Sequence, residues 1–348
     1  MECDTIEPDQ RPQMELGVQG AAERRRILEL AVSVWAFSAL ESACERGVLE
    51  ELETPKTAGE IGERIKASPA LTEAILEVLA ALELVQVEED RFVFSRGMSS
   101  YIGGLGKDIL RGDLRSTRLL TADFVQRFSA GEASPSGWRY TDPAILEAWG
   151  MRSVEQVASW IERLLPLLVG LLPALHGPGA RFLDVGTGVG RLAIAMCRQF
   201  PNLRVAGVDP FETAIDLARQ NVAEAGLGDR IDLRCELVQQ LTDTECFDLA
   251  WVPAMFLSPD SMAGALDRVL EALRPGGWLI LGTAAIEGEE LRPAVLRLMS
   301  VLFGGGLLKS KEAAESMEEA GYADVRVLPP GPGLPSRTIV GRRPVAML

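Results

Sequence analysis

One histidine, His176, occurs in 348 residues. Imidazole is the side chain that changes charge most readily near neutral pH, so its scarcity narrows the acid–base chemistry open to this chain. Cysteine is scarce too. Cys3, Cys44, Cys197, Cys235 and Cys246 are odd in number, scattered, and free of any C-x-x-C pair, which argues against both a disulfide framework and a zinc cluster. Basic residues are outnumbered, 35 Lys+Arg against 50 Asp+Glu, for a net charge of −15. Affinity for nucleic acid comes largely from cations displacing counterions, so this balance excludes a phosphate-rich partner and disfavours an anionic membrane surface. The longest apolar run, residues 164–175, is broken by Pro166 and Pro173 and is too short to span a bilayer. The opening MECDTIEPDQ is acidic and has no basic start leading into an apolar core. A reduced, cytoplasmic setting is the expectation. Against these absences stand 47% hydrophobic and 24% charged residues, the composition of a globular chain long enough for two domains.

Residues 1–20 are polar, acidic and proline-containing and read as a disordered tail. Residues 21–100 read as a winged helix. A helix runs from Ala21 toward Gly47, with Ile27, Leu30, Ala31, Val34 and Trp35 at helical spacing. Thr57 caps a short second helix, and another starts at Ser68-Pro69 with Leu71, Ile75, Leu79 and Leu82 on one face. LVQVEEDRFVF, from Leu84 to Phe94, alternates around a charged turn as a small hairpin does. Winged helices often bind DNA, but residues 57–94 hold eight acids and three bases. A recognition helix reading LTEAILE offers no side chain for base edges or phosphates, so a dimerisation module is the better reading. Residues 101–175 form a mixed connector and substrate lid, with loop signals at Gly103-Gly104 and Ser134–Gly137 and helical patterning from Asp142-Pro143. From His176 to residue 348 strands and helices alternate, with strands over 181–185, 203–208, 231–235, 247–252 and 278–281, the rhythm of a parallel sheet wrapped by helices.

The chemistry-bearing motif is RFLDVGTGVGRLAIA, starting at Arg181. Its glycines, Gly186, Gly188 and Gly190, fall at the turn from a strand into a helix, where a missing Cβ lets a ligand approach the backbone. The spacing is G-x-G-x-G, and Arg191 occupies the third-glycine position of dinucleotide binders. Asp184 beside this turn would repel a phosphate but suits a cationic amino-acid ligand. In VAGVDPF, Asp209 ends the next strand, where a carboxylate can accept hydrogen bonds from two ribose hydroxyls. Glu236, closing IDLRCE, suits an adenine amino group, and LRPGGWLIL from Leu273 leads into a fifth strand.

Four such elements in this order resemble the class I S-adenosylmethionine-dependent methyltransferases. With the winged helix, the chain resembles the dimeric small-molecule O-methyltransferases. The resemblance implies an α/β fold: a Rossmann-like, seven-stranded sheet, the last strand antiparallel and supplied by residues 337–341, preceded by a mostly helical dimerisation domain. It implies S-adenosylmethionine as cofactor, with Asp184, Gly186, Thr187, Gly188 and Gly190 along the methionine part and Asp209 on the ribose. Pro210, Phe211, Glu236, Leu237, Val252 and Pro253 complete that set, Phe211 and Glu236 flanking the adenine. It also implies a homodimer through the N-terminal domain, to which the apolar helix 27–40, with Trp35 and Phe37 on different sides, adds support.

The sequence departs from the family at one place. Many relatives carry a His-Asp pair after the fourth strand, and counting back from LRPGG puts that position near Met255, which cannot act as a base. His176 precedes the first strand, on the edge far from the cofactor. Three explanations stay open: methyl transfer by proximity alone; another base, with Glu287 and Tyr140 as candidates; or cofactor binding without transfer to oxygen, through C- or N-methylation, a related alkylation or cyclisation, or a non-catalytic role. For the acceptor, Trp149, Met151, Trp251, Met255, Phe256 and Phe303 form an apolar set suited to a flat aromatic or polyketide-like metabolite. No metal site is expected.

Overall fold

In the computed structural model, residues 20–103, 106–329 and 336–345 are described; the expected tail, residues 1–20, falls almost wholly outside them. The chain divides into two compact units, Met1–Gly103 and Gly104–Leu348.

The first unit opens with α1 (Ala21–Glu45), then α2 (Val48–Glu51), β1 (Lys56–Thr57), α3 (Ala58–Ile65), α4 (Pro69–Ala81), β2 (Val85–Glu88), β3 (Arg91–Phe94) and α5 (Arg96–Tyr101). Its strands pair antiparallel in the order β1-β3-β2, completing the winged-helix arrangement. Thr57 starts α3 with a reciprocal capping box. Its hydroxyl accepts from the Glu60 backbone N–H, its own N–H donates to Glu60 Oε2 at 2.8 Å, and Arg91 on the wing donates to the same carboxylate. The buried face of α4 is Thr72, Leu76 and Leu79, one step round from the predicted face. Leu71 and Leu82 are exposed, because that step turns the outer leucines away from α1 and α3. α1 buries only Glu41, Ala43 and Cys44 near its end. Ile27, Leu30, Val34 and Trp35 are open, Trp35 at 79% of its surface. α1 is also the one helix among the described residues that is long and apolar enough to cross a membrane.

The second unit begins with α6 (Gly106–Ser129), a 24-residue helix where sequence patterning predicts only a mixed stretch. Its inner face holds Gly112 and Ser116 among Ile109, Leu114 and Leu120, so the apolar period is broken. A loop leads to α7 (Pro143–Ser159), capped by Asp142, whose carboxylate accepts from the Ala144 N–H at 2.7 Å. A π-helical turn (Trp160–Leu164), a 3-10 turn at Pro166 and α8 (Leu171–His176) follow.

The sheet is then laid down by β4 (Arg181–Val185), α9 (Arg191–Gln199), β5 (Arg204–Asp209), α10 (Glu212–Glu224), β6 (Ile231–Cys235), β7 (Phe247–Pro253), α11 (Pro259–Ala272), β8 (Leu273–Ala284), α12 (Leu291–Leu302), α13 (Ser310–Glu319), β9 (Ala323–Val327) and β10 (Ser336–Arg342). The order is β6-β5-β4-β7-β8-β10-β9, and only β10 runs against the rest. β8 starts earlier than predicted. Leu273 pairs with Phe247 and Trp278 with Leu249, so RPGG bulges within the strand instead of preceding it. Apolar strands buried on both faces hold the sheet, with Phe182, Leu183, Val205, Leu249, Ile280 and Val340 at or near zero exposure. Strand order reverses between β4 and its neighbours β5 and β7, and ligands in such sheets sit at the carboxyl ends beside that switch.

Candidate active site

At those carboxyl ends lies a cavity of about 790 Å³, walled by α7, the loop after β4, the ends of β5, β6 and β7, and the residues around Phe303. The glycine turn is tied down by its own backbone: the N–H groups of Gly186 and Thr187 donate to Val208 O at 2.8 and 3.1 Å. Thr187 Oγ1 donates to Asp184 Oδ2 at 2.8 Å inside the protein. Burial is the main force on Asp184; it raises the carboxyl to about 7, with the Thr187 hydrogen bond opposing and the Asp209 charge reinforcing. Asp209 is raised as well, by burial, against hydrogen bonds from the Phe211 and Gly188 N–H groups, both at 3.0 Å. Neither acid has a lysine or arginine partner among the described residues.

Two further cavity atoms, Glu236 Oε1 and Gln239 Oε1, are buried and accept no hydrogen bond, Glu236 Oε1 having Arg234 Nη1 at 3.7 Å as a charge partner. An unmet buried acceptor costs about 1–3 kcal/mol unless a ligand supplies the donor. The residues therefore fit S-adenosylmethionine on three counts: buried acids without a cationic partner among the described residues, a carboxylate at a strand end, and buried acceptors at Glu236 and Gln239 that take no hydrogen bond where an exocyclic amine would lie.

Asp184, Gly186, Thr187, Gly188, Asp209, Pro210, Phe211, Glu236, Leu237 and Pro253 all line the cavity. Gly190 and Val252 do not. Gly190 is the left-handed N-cap of α9 at φ 76°, and a Cβ there would sit 3.3 Å from Ala218 Cβ, so it serves helix packing. Val252 alternates inward on β7 and is fully buried in the core.

Of the acceptor set, Trp149, Trp251, Met255, Phe256 and Phe303 line the cavity. Trp149, Phe256 and Phe303 meet with ring centroids 5.1–5.8 Å apart, and Trp138, missed in the sequence, joins them at 5.0–5.9 Å. Trp160 meets Trp251 edge-on at 5.1 Å. Met151 is a correction: two residues along the helix from Trp149 it faces α6, packing at Gly112.

Neither candidate base lines the cavity. Tyr140 is buried behind Trp138, its hydroxyl raised by burial and by a hydrogen bond to Asp123. Glu287 accepts from the Ser310 N–H at 3.1 Å and the Ser310 hydroxyl at 2.5 Å, with Arg337 nearby. Burial resists its ionisation, but those partners outweigh it and hold the carboxyl below its ordinary value. Met255 faces the cavity from a 3-10 turn after β7. His176 is exposed at the end of α8, its ring on Phe200, five residues before β4 begins and so at the sheet's opposite end.

One network had no sequence signal. Glu147 on α7 accepts from Arg191 at 2.9 Å and from Asn221 Nδ2 at 2.8 Å, and the Asn221 amide also donates to Val189 O in the glycine turn. These residues lie up to 74 positions apart, and only the fold unites them.

Comparison with known proteins bears on the fold and the family. A family profile described as a methyltransferase domain matches residues 182–277, and one described as an O-methyltransferase dimerisation domain matches residues 28–101. These matches support a class I S-adenosylmethionine-dependent methyltransferase of the dimeric O-methyltransferase type. Among curated proteins, it is 25% identical to 3-hydroxy-5-methyl-1-naphthoate 3-O-methyltransferase of Streptomyces sahachiroi, over 87% of this chain and 90% of that one. It is 27% identical to the N,N-dimethyltransferase OxyT of Streptomyces rimosus, over 86% and 88%. Among solved structures, the S-adenosylmethionine-dependent methyltransferase SibL superposes with a TM-score of 0.64 at 21% identity, covering 92% of this chain and 99% of that one. The mitomycin 7-O-methyltransferase MmcR gives 0.62 at 22%, covering 93% and 99%.

Proposed function

We propose that the protein methylates a small, largely apolar, aromatic or polyketide-like metabolite on oxygen, by alignment and without a histidine base. The observation that carries this reading is the aromatic wall of Trp138, Trp149, Phe256 and Phe303 beside Asp184 and Asp209, with Met255 where a base would stand. The sulfonium of S-adenosylmethionine supplies an already activated methyl group. Asp184 and the turn from Gly186 to Gly188 hold the methionine portion, Asp209 accepts from the ribose hydroxyls, and Phe211, Glu236 and Leu237 enclose the adenine. The aromatic wall orients the acceptor and excludes water, and such fixing of two reactants can supply roughly 7–11 kcal/mol of barrier reduction. An acidic phenol then needs no proton acceptor from the chain.

The matched dimerisation profile and the open apolar face of α1 support a homodimer through the N-terminal unit. The acidic composition and the exposed Glu73 and Glu77 of α4 speak against a nucleic-acid partner. A partner copy packed on α1 would cover the apolar helix that is otherwise long enough to cross a membrane, in keeping with a cytoplasmic protein.

Nitrogen as the acceptor is the second reading, favoured by the N,N-dimethyltransferase among the relatives of similar coverage. Incubation with methyl-labelled S-adenosylmethionine and a panel of naphthols, aryl amines and enols separates them. Labelled ethers support the proposal, label only on nitrogen replaces it with the second reading, and label only on carbon overturns both. Tight cofactor binding with no label transferred removes both.

A further inference from the structure

Away from Asp184, Asp209 and Glu236, the cavity meets a further carboxylate. Asp113, on α6, lines it together with Arg152 on α7. Arg152 lies 3.2 Å from Asp113 Oδ1 and stands over the Trp149 ring with its guanidinium carbon 4.8 Å from the ring centre. That approach gives charge attraction but not hydrogen-bond alignment, for Asp113 Oδ1 is buried and accepts no hydrogen bond. The other charged cavity groups nearby on the α7 side, Glu155 and Arg163, are exposed at its rim. Ser153, also on this wall, already donates to Gly150 O at 2.6 Å.

A carboxyl oxygen in this position has free lone pairs and, among the described residues, no donor aligned for a hydrogen bond. Buried acceptors left so are satisfied by ligand or water. The adjacent Trp149 face fixes the plane in which a flat ligand packs, and Arg152, held over the same ring, holds the Asp113 side chain in place. Burial raises Asp113, and the Arg152 charge opposes it.

The geometry points to Asp113, positioned by Arg152, as a specificity-determining residue that accepts a hydrogen bond from an O–H or N–H on the edge of an aromatic acceptor packed against Trp149. This deepens the proposed function and rests on its aromatic acceptor. The substrate class it selects is an aromatic ring bearing a free donor, over the same ring alkylated or bare. Asp113 is not assigned the transferred proton.

Calorimetric titration of the full chain saturated with S-adenosylhomocysteine, using 2-naphthol and 2-methoxynaphthalene as probes, tests this. The wild-type chain should bind 2-naphthol at least tenfold more tightly than its methyl ether, as expected for a hydrogen bond to a charged acceptor. Asp113→Ala should bring that preference below threefold with S-adenosylhomocysteine affinity unchanged within twofold. Asp113→Asn, which keeps the size of the side chain at the junction of α6 and α7, should lose most of the preference too. Equal binding of both probes by wild type, or an undiminished preference in the variants, overturns the assignment. Loss of probes and S-adenosylhomocysteine together in both variants also overturns it, marking Asp113 as a structural tie. Failure of wild type to bind either probe while S-adenosylhomocysteine binds removes the aromatic-acceptor reading, and this inference with it.

Discussion

Asp184 should couple cofactor binding to a proton. Its carboxyl is raised to about 7 by burial, so near neutral pH the free protein carries it about half protonated. A cation placed beside it favours the carboxylate, and S-adenosylmethionine brings both an ammonium and a sulfonium. Binding should therefore expel a proton at and below pH 7, and apparent affinity should fall as pH falls. With a free-state value near 7 and a carboxylate that stays ionised beside the bound cation, affinity should be about fifteenfold weaker at pH 5.5 than at pH 7. Over that range the ligand's own amino group stays mostly protonated, so the slope belongs to the protein. Stability of the free protein changes with the opposite sense. The folded value exceeds the ordinary 3.8, so this group's contribution is lost as pH rises from about 4 to 7, by on the order of 4 kcal/mol. The cofactor's stabilising shift in Tm should accordingly be larger at pH 7 than at pH 5.5. Calorimetry in two buffers of different ionisation heat measures the proton directly. Asp209, also raised by burial, adds in the same direction, so the comparison with Asp184→Asn is the decisive one. No proton release by wild type at pH 6, or an equal slope in Asp184→Asn, refutes the reasoning.

Asp209→Ala should abolish cofactor binding while circular dichroism stays native, since its carboxylate accepts only two backbone N–H groups at the cavity edge. At Gly150 a Cβ would lie 2.3 Å from Val189 Cγ2. Gly150→Ala should therefore cost about 1–3 kcal/mol in denaturant unfolding and weaken S-adenosylhomocysteine binding by displacing the glycine turn. Trp35→Glu, on the open face of α1, should convert a dimer to a monomer in light scattering without lowering helix content. An unchanged mass would place the dimer contact elsewhere.

The sequence carried the sheet well and the cavity walls poorly, for physical reasons. β4 and β6 are found where predicted because short apolar runs bounded by glycine and charge have few alternatives. α6 escaped because Gly112 and Ser116 on its buried face break the periodicity that reveals a helix. The turn from Gly186 to Gly188, Asp184 and Asp209 line the cavity as placed from the sequence, because there the position depends on where backbone and strand end coincide. Met151 and Glu287 were misassigned because nearness in sequence to a site says nothing of where a side chain turns. Asp113, Trp138 and Asn221 reach the site from separate helices and a loop, with no local pattern to announce them.

The bridge from Glu147 to Asn221 and on to Val189 O bears on how such a protein could be altered. It fastens the helix that carries Trp149 and Arg152 to the turn beside the cofactor pocket, so that wall cannot be re-carved without disturbing the donor's seat. Met255, Phe256 and Phe303, which come from the turn after β7 and the end of α12, take no part in that bridge, although Phe256 and Phe303 pack on Trp149. Libraries seeking new acceptors should find tolerated change there, and changes on α7 should surface first as altered affinity for the donor.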